Sequence, residues 1–324
     1  MTKRFLTILF VLLAITVLCA CAEQAEPPDT GFRVSEGDMP TAVIAITKDS
    51  GKDLVLEKEI SIGPDITALD ALQSVAGVET KYGGGFVSAI EGIGSEYGGP
   101  DNKKKDWFFY INGIAGNIGA GDYILRAGDV EQWDFRDWSY QQFVSAVIGG
   151  YPQSLLNGFG DKTAPTFVVY DESFVTEAES LAEQLQDEGV SPVSVVRHDR
   201  LTDDARKQGN LIVIAGSGNK LIGELNGAHK KLGFYAYLEP GKIIVLNASG
   251  SLSGEYGPGS GLIQAAQNPW NPKGTGVAEN VVWMVAGADD DGVKSAAMAL
   301  LNNADKLRYA FAAIVKQGQV LKIP

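Results

Sequence analysis

The pattern of apolar residues changes character partway along the chain, and that change constrains the fold more than any single motif. Up to about residue 138 the apolar runs are short and strand-like, interrupted by one helical stretch; beyond Pro165 short apolar strands alternate with helices. Residues 41–47 and 53–62 predict a hairpin around Lys48-Asp49-Ser50-Gly51. Leu69, Leu72 and Val75 then fall at helical spacing behind Thr67 as a cap. Strands follow at 86–93, 107–111, 123–125 and 130–135, with Asn112-Gly113 as a tight hairpin turn. In the second part, strands at 167–170, 193–197, 211–215, 243–246 and 281–285 interleave with helices at 177–188, 220–232 and 291–303. Short buried strands separated by helices require a parallel sheet covered on its faces. The expected fold class is therefore α+β over residues 41–138, a connector over 139–163, and a layered α/β domain with a mostly parallel sheet over 164–324.

The N-terminus reads differently. Lys3 and Arg4 precede an uncharged, largely apolar run that ends in Leu18-Cys19-Ala20-Cys21. A basic start, an apolar stretch and small residues at its end make a secretory signal, and the run is shorter than the roughly 20 residues that span a bilayer. The arrangement resembles a bacterial lipoprotein signal with its lipobox. That resemblance implies a signal peptide over 1–20, lipidation of Cys21, and an extracytoplasmic protein lipid-anchored to the cell membrane. Two or more acyl chains hold a protein stably where one does not. Residues 21–40 are acidic, contain Pro27-Pro28 and lack apolar periodicity, so they are expected to act as a tether.

Charge and composition exclude several functions. The chain carries 27 basic and 40 acidic side chains, a formal charge of −13, and loss of the signal would remove Lys3 and Arg4 but no acid. Nucleic acid is a poor partner for such a surface. Cys19 and Cys21 are the only cysteines, so the mature protein is expected to have no disulfide, thiol nucleophile or cysteine-held zinc. His198 and His229 are the only histidines, which leaves little room for histidine-rich metal sites or a serine triad. Leu211 to Ile222 reads as a strand, a glycine-rich turn at Gly216 and Gly218, and a helix, the setting for a phosphate. Leu221 stands at the third glycine position, and the glycines equally serve a sharp turn. Asp289-Asp290-Asp291 suits helix capping better than calcium. No enzyme activity and no cofactor are expected.

Binding is the remaining class. Trp107, Phe109 and Ile111 alternate with Phe108 and Tyr110, so one strand offers aromatics to both faces. Together with Tyr82, Phe86, Tyr97, Asn112 and Trp133, and with Gly83-Gly84-Gly85 and Gly98-Gly99 beside them, the rings would form a ligand platform or fill a small core. Residues 250–276 form the longest irregular stretch, carrying Tyr256 and Trp270, either as a recognition loop or as aromatics that pin a surface loop.

The pieces Thr67-Ala-Leu-Asp-Ala-Leu72, Trp107-Phe-Phe-Tyr-Ile-Asn-Gly113, Ala127-Gly-Asp-Val130 and Trp133 resemble the transcobalamin-like C-terminal domain family over about residues 40–138. The resemblance implies a β-grasp-like domain that closes over cobalamin or another corrinoid, delivered to an uptake transporter. No histidine lies in residues 40–138 to ligate cobalt. The α/β part departs from the α-barrel of those carriers, so a shared binding mode does not follow. The alternative is an envelope interaction or adhesin-like scaffold lipoprotein with no small-molecule ligand.

Overall fold

The computed structural model describes residues 39–98, 103–160 and 162–324. The signal over 1–20, Cys21 and the tether up to residue 38 lie outside the described residues. No helix among the described residues is long and apolar enough to cross a membrane.

Alternation in β1 (Thr41–Lys48) buries its inner face, and β2 (Asp53–Ser61) pairs with it antiparallel. Helix α1 (Ala68–Val75) begins at Thr67, whose hydroxyl accepts from the Asp70 N–H at 3.0 Å while the Asp70 carboxylate accepts from the Thr67 N–H at 3.2 Å. This reciprocal cap satisfies two orphan donors. It aims Ala68, Ala71 and Leu72 at a core that includes Ile44, Trp107 and Trp133. Strands β3 (Val78–Lys81), β4 (Phe86–Ile90) and β5 (Ile93–Gly94) make a small antiparallel sheet of their own. β6 (Glu96–Gly98), β7 (Lys103–Ile111), β8 (Ile114–Ala115) and β9 (Val130–Asp137) complete the first large sheet, in the order β2-β1-β9-β7-β6 with β8 also on β7. β9 returns parallel to β1 and antiparallel to β7.

The second large sheet takes β10 (Thr166–Tyr170), helix α2 (Val175–Asp187), β11 (Val193–Arg197), helix α3 (Asp203–Gln208) and β12 (Asn210–Ile214) from its first half. Helix α4 (Lys220–Gly227), β13 (Ala236–Glu239), β14 (Lys242–Leu246) and β15 (Leu252–Tyr256) follow, the three strands forming a small antiparallel sheet. β16 (Ser260–Gln267), β17 (Val281–Gly287), helix α5 (Asp290–Asn302), β18 (Ala312–Lys316) and β19 (Gln319–Ile323) finish the order β11-β10-β12-β17-β16-β18-β19.

Two expectations need correcting. The sheet is parallel across β11, β10, β12 and β17 but antiparallel across β16, β18 and β19, so it is not mostly parallel. A tight turn with positive φ at Gln317 and Gly318 joins β18 to β19, and so short a link can join only antiparallel strands; β16 and β17 are joined by residues 268–280 with no helix between them. The stretch 250–276 is also not irregular throughout, because it holds β15 and β16, and β16 is buried along its whole length. A Cβ on Gly261 would meet Ala296 at 2.8 Å, so this glycine lets α5 pack closely on the strand.

One apolar cluster runs from α1 and the first sheet through to α2 and α5 on the second, and another fills the opposite face of the second sheet. Residues 139–163 are packed rather than loose, with Val144, Ala146, Val147, Ile148, Leu155 and Phe159 buried. Val147 N donates to Gly113 O at 2.8 Å and Gly149 N donates to Ala310 O at 2.8 Å, so this segment is hydrogen-bonded to both sides. Residues 39–324 accordingly form one compact unit.

Candidate functional site

The edge of β7 defines the site. Asn112 N donates to Val130 O and Trp138 N donates to Lys104 O, both at 2.8 Å. Antiparallel main-chain groups alternate in direction, so the even-numbered residues of β7 are spent on β9 and the odd-numbered ones face outward. On that outer side β6 pairs with Lys103, Lys104 and Lys105, and β8 pairs with Tyr110 and Ile111. The edge between them, at Trp107 to Phe109, is uncovered. A pocket of about 250 Å³ opens there.

Its walls come from three directions. Phe86 and Val87 of β4 stand on one side, after Gly84 and Gly85; Gly116, Ile118 and Ala120 stand on the other. Phe143 and Val144 close it from the segment 139–163. Phe109 stacks on Trp133 with ring centroids 5.2 Å apart, and Trp107 tilts against Phe135 at 5.2 Å. The Trp107 indole donates to Ile93 O at 2.8 Å, which fixes its ring. Behind Trp133, its indole donates to the Glu131 carboxyl at 2.5 Å. Glu131 is fully buried, and that burial raises its pKa well above the ordinary value, against the lowering effect of the Trp133 hydrogen bond. The walls are thus aromatic and apolar, suited to a compact or planar group.

Of the residues singled out from sequence, Phe86, Trp107, Tyr110 and Trp133 come together at this pocket. Tyr110 borders it while its ring packs edge-on against Phe311, 5.4 Å between centroids. Tyr82 is 89% exposed and does not line it. Tyr97, 57% exposed, hydrogen-bonds through its hydroxyl to Asp106, and partial burial together with that bond pushes its pKa up to about 12. Asn112 is spent on the turn: its amide donates to Asp129 Oδ1 and Gly158 O, both at 2.8 Å, and its Oδ1 accepts from Val130 N at 2.9 Å. Tyr256 and Trp270 lie away from the pocket, against the second apolar cluster. The Trp270 indole donates to Glu224 Oε2 at 2.7 Å. Ile118 and Phe143, 45% and 46% exposed, belong to the site but were not singled out. The glycines around Ile118 were the available signal for one; nothing local marks the other.

The remaining sequence features have structural partners. The Asp171 carboxylate accepts from Asn219 Nδ2 at 2.6 Å and from Gly216 N at 3.3 Å, and lies 3.1 Å from His198 Nδ1. An anion already occupies the turn where a phosphate would bind, which disfavours one. Asp289 accepts from Gly292 N and Gly259 N, both at 2.9 Å, as a helix cap does. Among the described residues no group of three or more His, Cys, Asp or Glu could hold a metal ion.

A family model described as a domain of unknown function (DUF4430) matches residues 65–137, from the loop before α1 to the end of β9. No curated protein matches the chain. Among solved structures, one similar chain is a protein from Ruminococcus gnavus provisionally described as metal binding. It is 15% identical with a TM-score of 0.23, and the match covers 30% of this chain and 97% of that one.

Proposed function

We propose that this chain is a lipid-anchored, extracytoplasmic binding protein that holds its ligand, unaltered, in the pocket on the uncovered edge of β7. The observation that carries the proposal is the convergence there of Phe86, Phe109 and Trp133 with glycine-rich rims and an unpaired strand edge. The order hairpin, helix, returning strands is compatible with the β-grasp-like domain that the family resemblance implies. A corrinoid handed to an uptake transporter is the ligand that resemblance favours. The pocket, at about 250 Å³, lies below the roughly 300–1,000 Å³ usual for a whole drug-sized ligand. It would therefore take one edge of a corrinoid, with the remainder over the exposed rim at Ile118 and Phe143.

Calorimetric titration of cyanocobalamin into the mature protein tests the proposal. Heat of binding is expected with the parent, weakened about tenfold or more in Phe143→Ala, since the ligand would cover this half-exposed ring and truncating an aromatic contact buried on binding commonly costs more than about 1.4 kcal/mol. Tyr256→Ala should bind as the parent does. No heat at high micromolar protein rejects the corrinoid, and unchanged affinity in Phe143→Ala rejects the pocket.

A second proposal, the envelope interaction scaffold, draws on β2. This edge strand buries no residue along its length and leaves Leu54 and Val55 exposed. Such an edge is a template for pairing with another chain.

A further inference from the structure

We infer that the pocket recognises one residue of an extended peptide through the two amides that flank it. The inference rests on the proposal that this pocket is the binding site, and puts a peptide there in place of the corrinoid.

It follows from which main-chain groups β7 leaves over. Trp107 and Phe109 are outward-facing by the alternation fixed at Lys104 and Asn112. The Trp107 N–H is taken by the carboxylate of its neighbour, Asp106 Oδ1, at 2.8 Å. The ladder with β8 has its last paired residue at Ala115, opposite Tyr110. Ala115 itself turns away, donating to Ser145 O at 3.0 Å and accepting from Gln267 Nε2 at 3.0 Å. The Trp107 C=O and the Phe109 N–H are left without a partner among the described residues, one acceptor and one donor on either side of Phe108. Main-chain groups beside an apolar wall are costly to leave unpaired.

The complement to that pair is specific. Across an antiparallel ladder, the groups that meet a C=O and the N–H two residues on are an N–H and a C=O that flank one residue of the opposing chain. The ligand's acyl C=O accepts from Phe109 N–H, and its following amide N–H donates to Trp107 C=O, so it runs antiparallel to β7. β6 and β8 block the edge on either side, which limits the match to a single residue with its two caps. Directly opposed residues share a face of the sheet, so the ligand's side chain lies on the Phe108 side. There Phe143 and Val144 border a pocket of about 250 Å³, room for one apolar side chain.

The test uses the mature protein labelled with nitrogen-15 and two probes, N-acetyl-phenylalanine N-methylamide and the corresponding N,N-dimethylamide, which lacks the donor. Without probe, the Phe109 amide should exchange with deuterated solvent faster than those of Phe108 and Tyr110. The N-methylamide should shift the Phe109 amide resonance and slow its exchange, and the dimethylamide should bind roughly tenfold or more weakly, as expected when a buried acceptor is left unpaired. Phe109 protected as strongly as its neighbours in the free protein overturns the inference, because its N–H then has a partner. Equal affinity for the two probes, with shifts at Phe86 and Ala120, overturns amide recognition while leaving the pocket as the binding site. Binding of cyanocobalamin at those same resonances with no response to either probe has the same meaning.

Discussion

Glu131 is the residue whose setting has the clearest consequence. It lies on β9 between Ile44 of β1 and Ile111 of β7, with Oε2 unpartnered. Burial raises its pKa well above the ordinary 4.5, opposed by the Trp133 indole and aided by nearby Asp129. A carboxyl shifted upward keeps its proton in the folded state after the unfolded chain has lost it, so stability falls as pH rises from the ordinary glutamate range through the raised value. Asp129 and Asp134 are shifted the same way, burial again being the largest cause. The thermal midpoint should therefore decline from mildly acidic toward alkaline pH, and Glu131→Gln should flatten that decline; a variant with the parent's full pH dependence would contradict the assignment. Gly149 acts through its lack of a side chain. A Cβ there would fall on the Tyr309 backbone, so Gly149→Ala should cost roughly 1–3 kcal/mol through overpacking. Urea unfolding should show a lower midpoint at similar slope, and an unchanged midpoint would mean that the segment shifts freely.

Elements with strong local signals were legible from sequence. The first hairpin, the Thr67 cap on α1 and the Asn112-Gly113 turn follow from short-range chemistry, and all three are present. Thr67→Ala should accordingly remove about 1 kcal/mol of stability in chemical denaturation, and no change would mean that tertiary packing alone holds α1. β16 was not legible because its sequence, SGLIQAAQ, mixes glycine and glutamine into a strand that is buried on both faces. Its Gln267 is satisfied only by distant partners, including Ala115 O, Ser145 O and Gly276 N. The antiparallel half of the second sheet was hidden for the same reason, since pairing partners are set by long-range contacts. At the site, the aromatic alternation of β7 pointed to Trp107 and Tyr110, whereas Phe143 arrives from a segment read as a connector. Tyr256 and Trp270 fitted a recognition loop by composition. In the fold the Tyr256 ring lies over Gly254, and Trp270 is hydrogen-bonded to Glu224 on α4.

Taken as a molecule, the protein has a first sheet whose core continues into the second. Gln132 on β9 donates to Tyr309 O at 3.0 Å, and Tyr110 packs on Phe311, so separating the halves exposes buried polar and aromatic groups together. A fragment ending at residue 138 should lose its near-ultraviolet circular dichroism, whereas a native-like spectrum would show that the first sheet folds independently. The proposed lipid anchor has its own test: Cys21→Ser should release the protein from membranes, and a variant that stays bound and retains residues 1–20 would contradict lipidation. We propose the uncovered edge of β7 as the place where a ligand sits. The most direct measurement is an amide chemical-shift map of the mature protein during titration with cyanocobalamin. The largest shifts are expected on Phe86, Val87, Phe109, Gly116, Ile118 and Phe143. Shifts confined to the turn around Asp171, His198 and Asn219, or to β2, would contradict it.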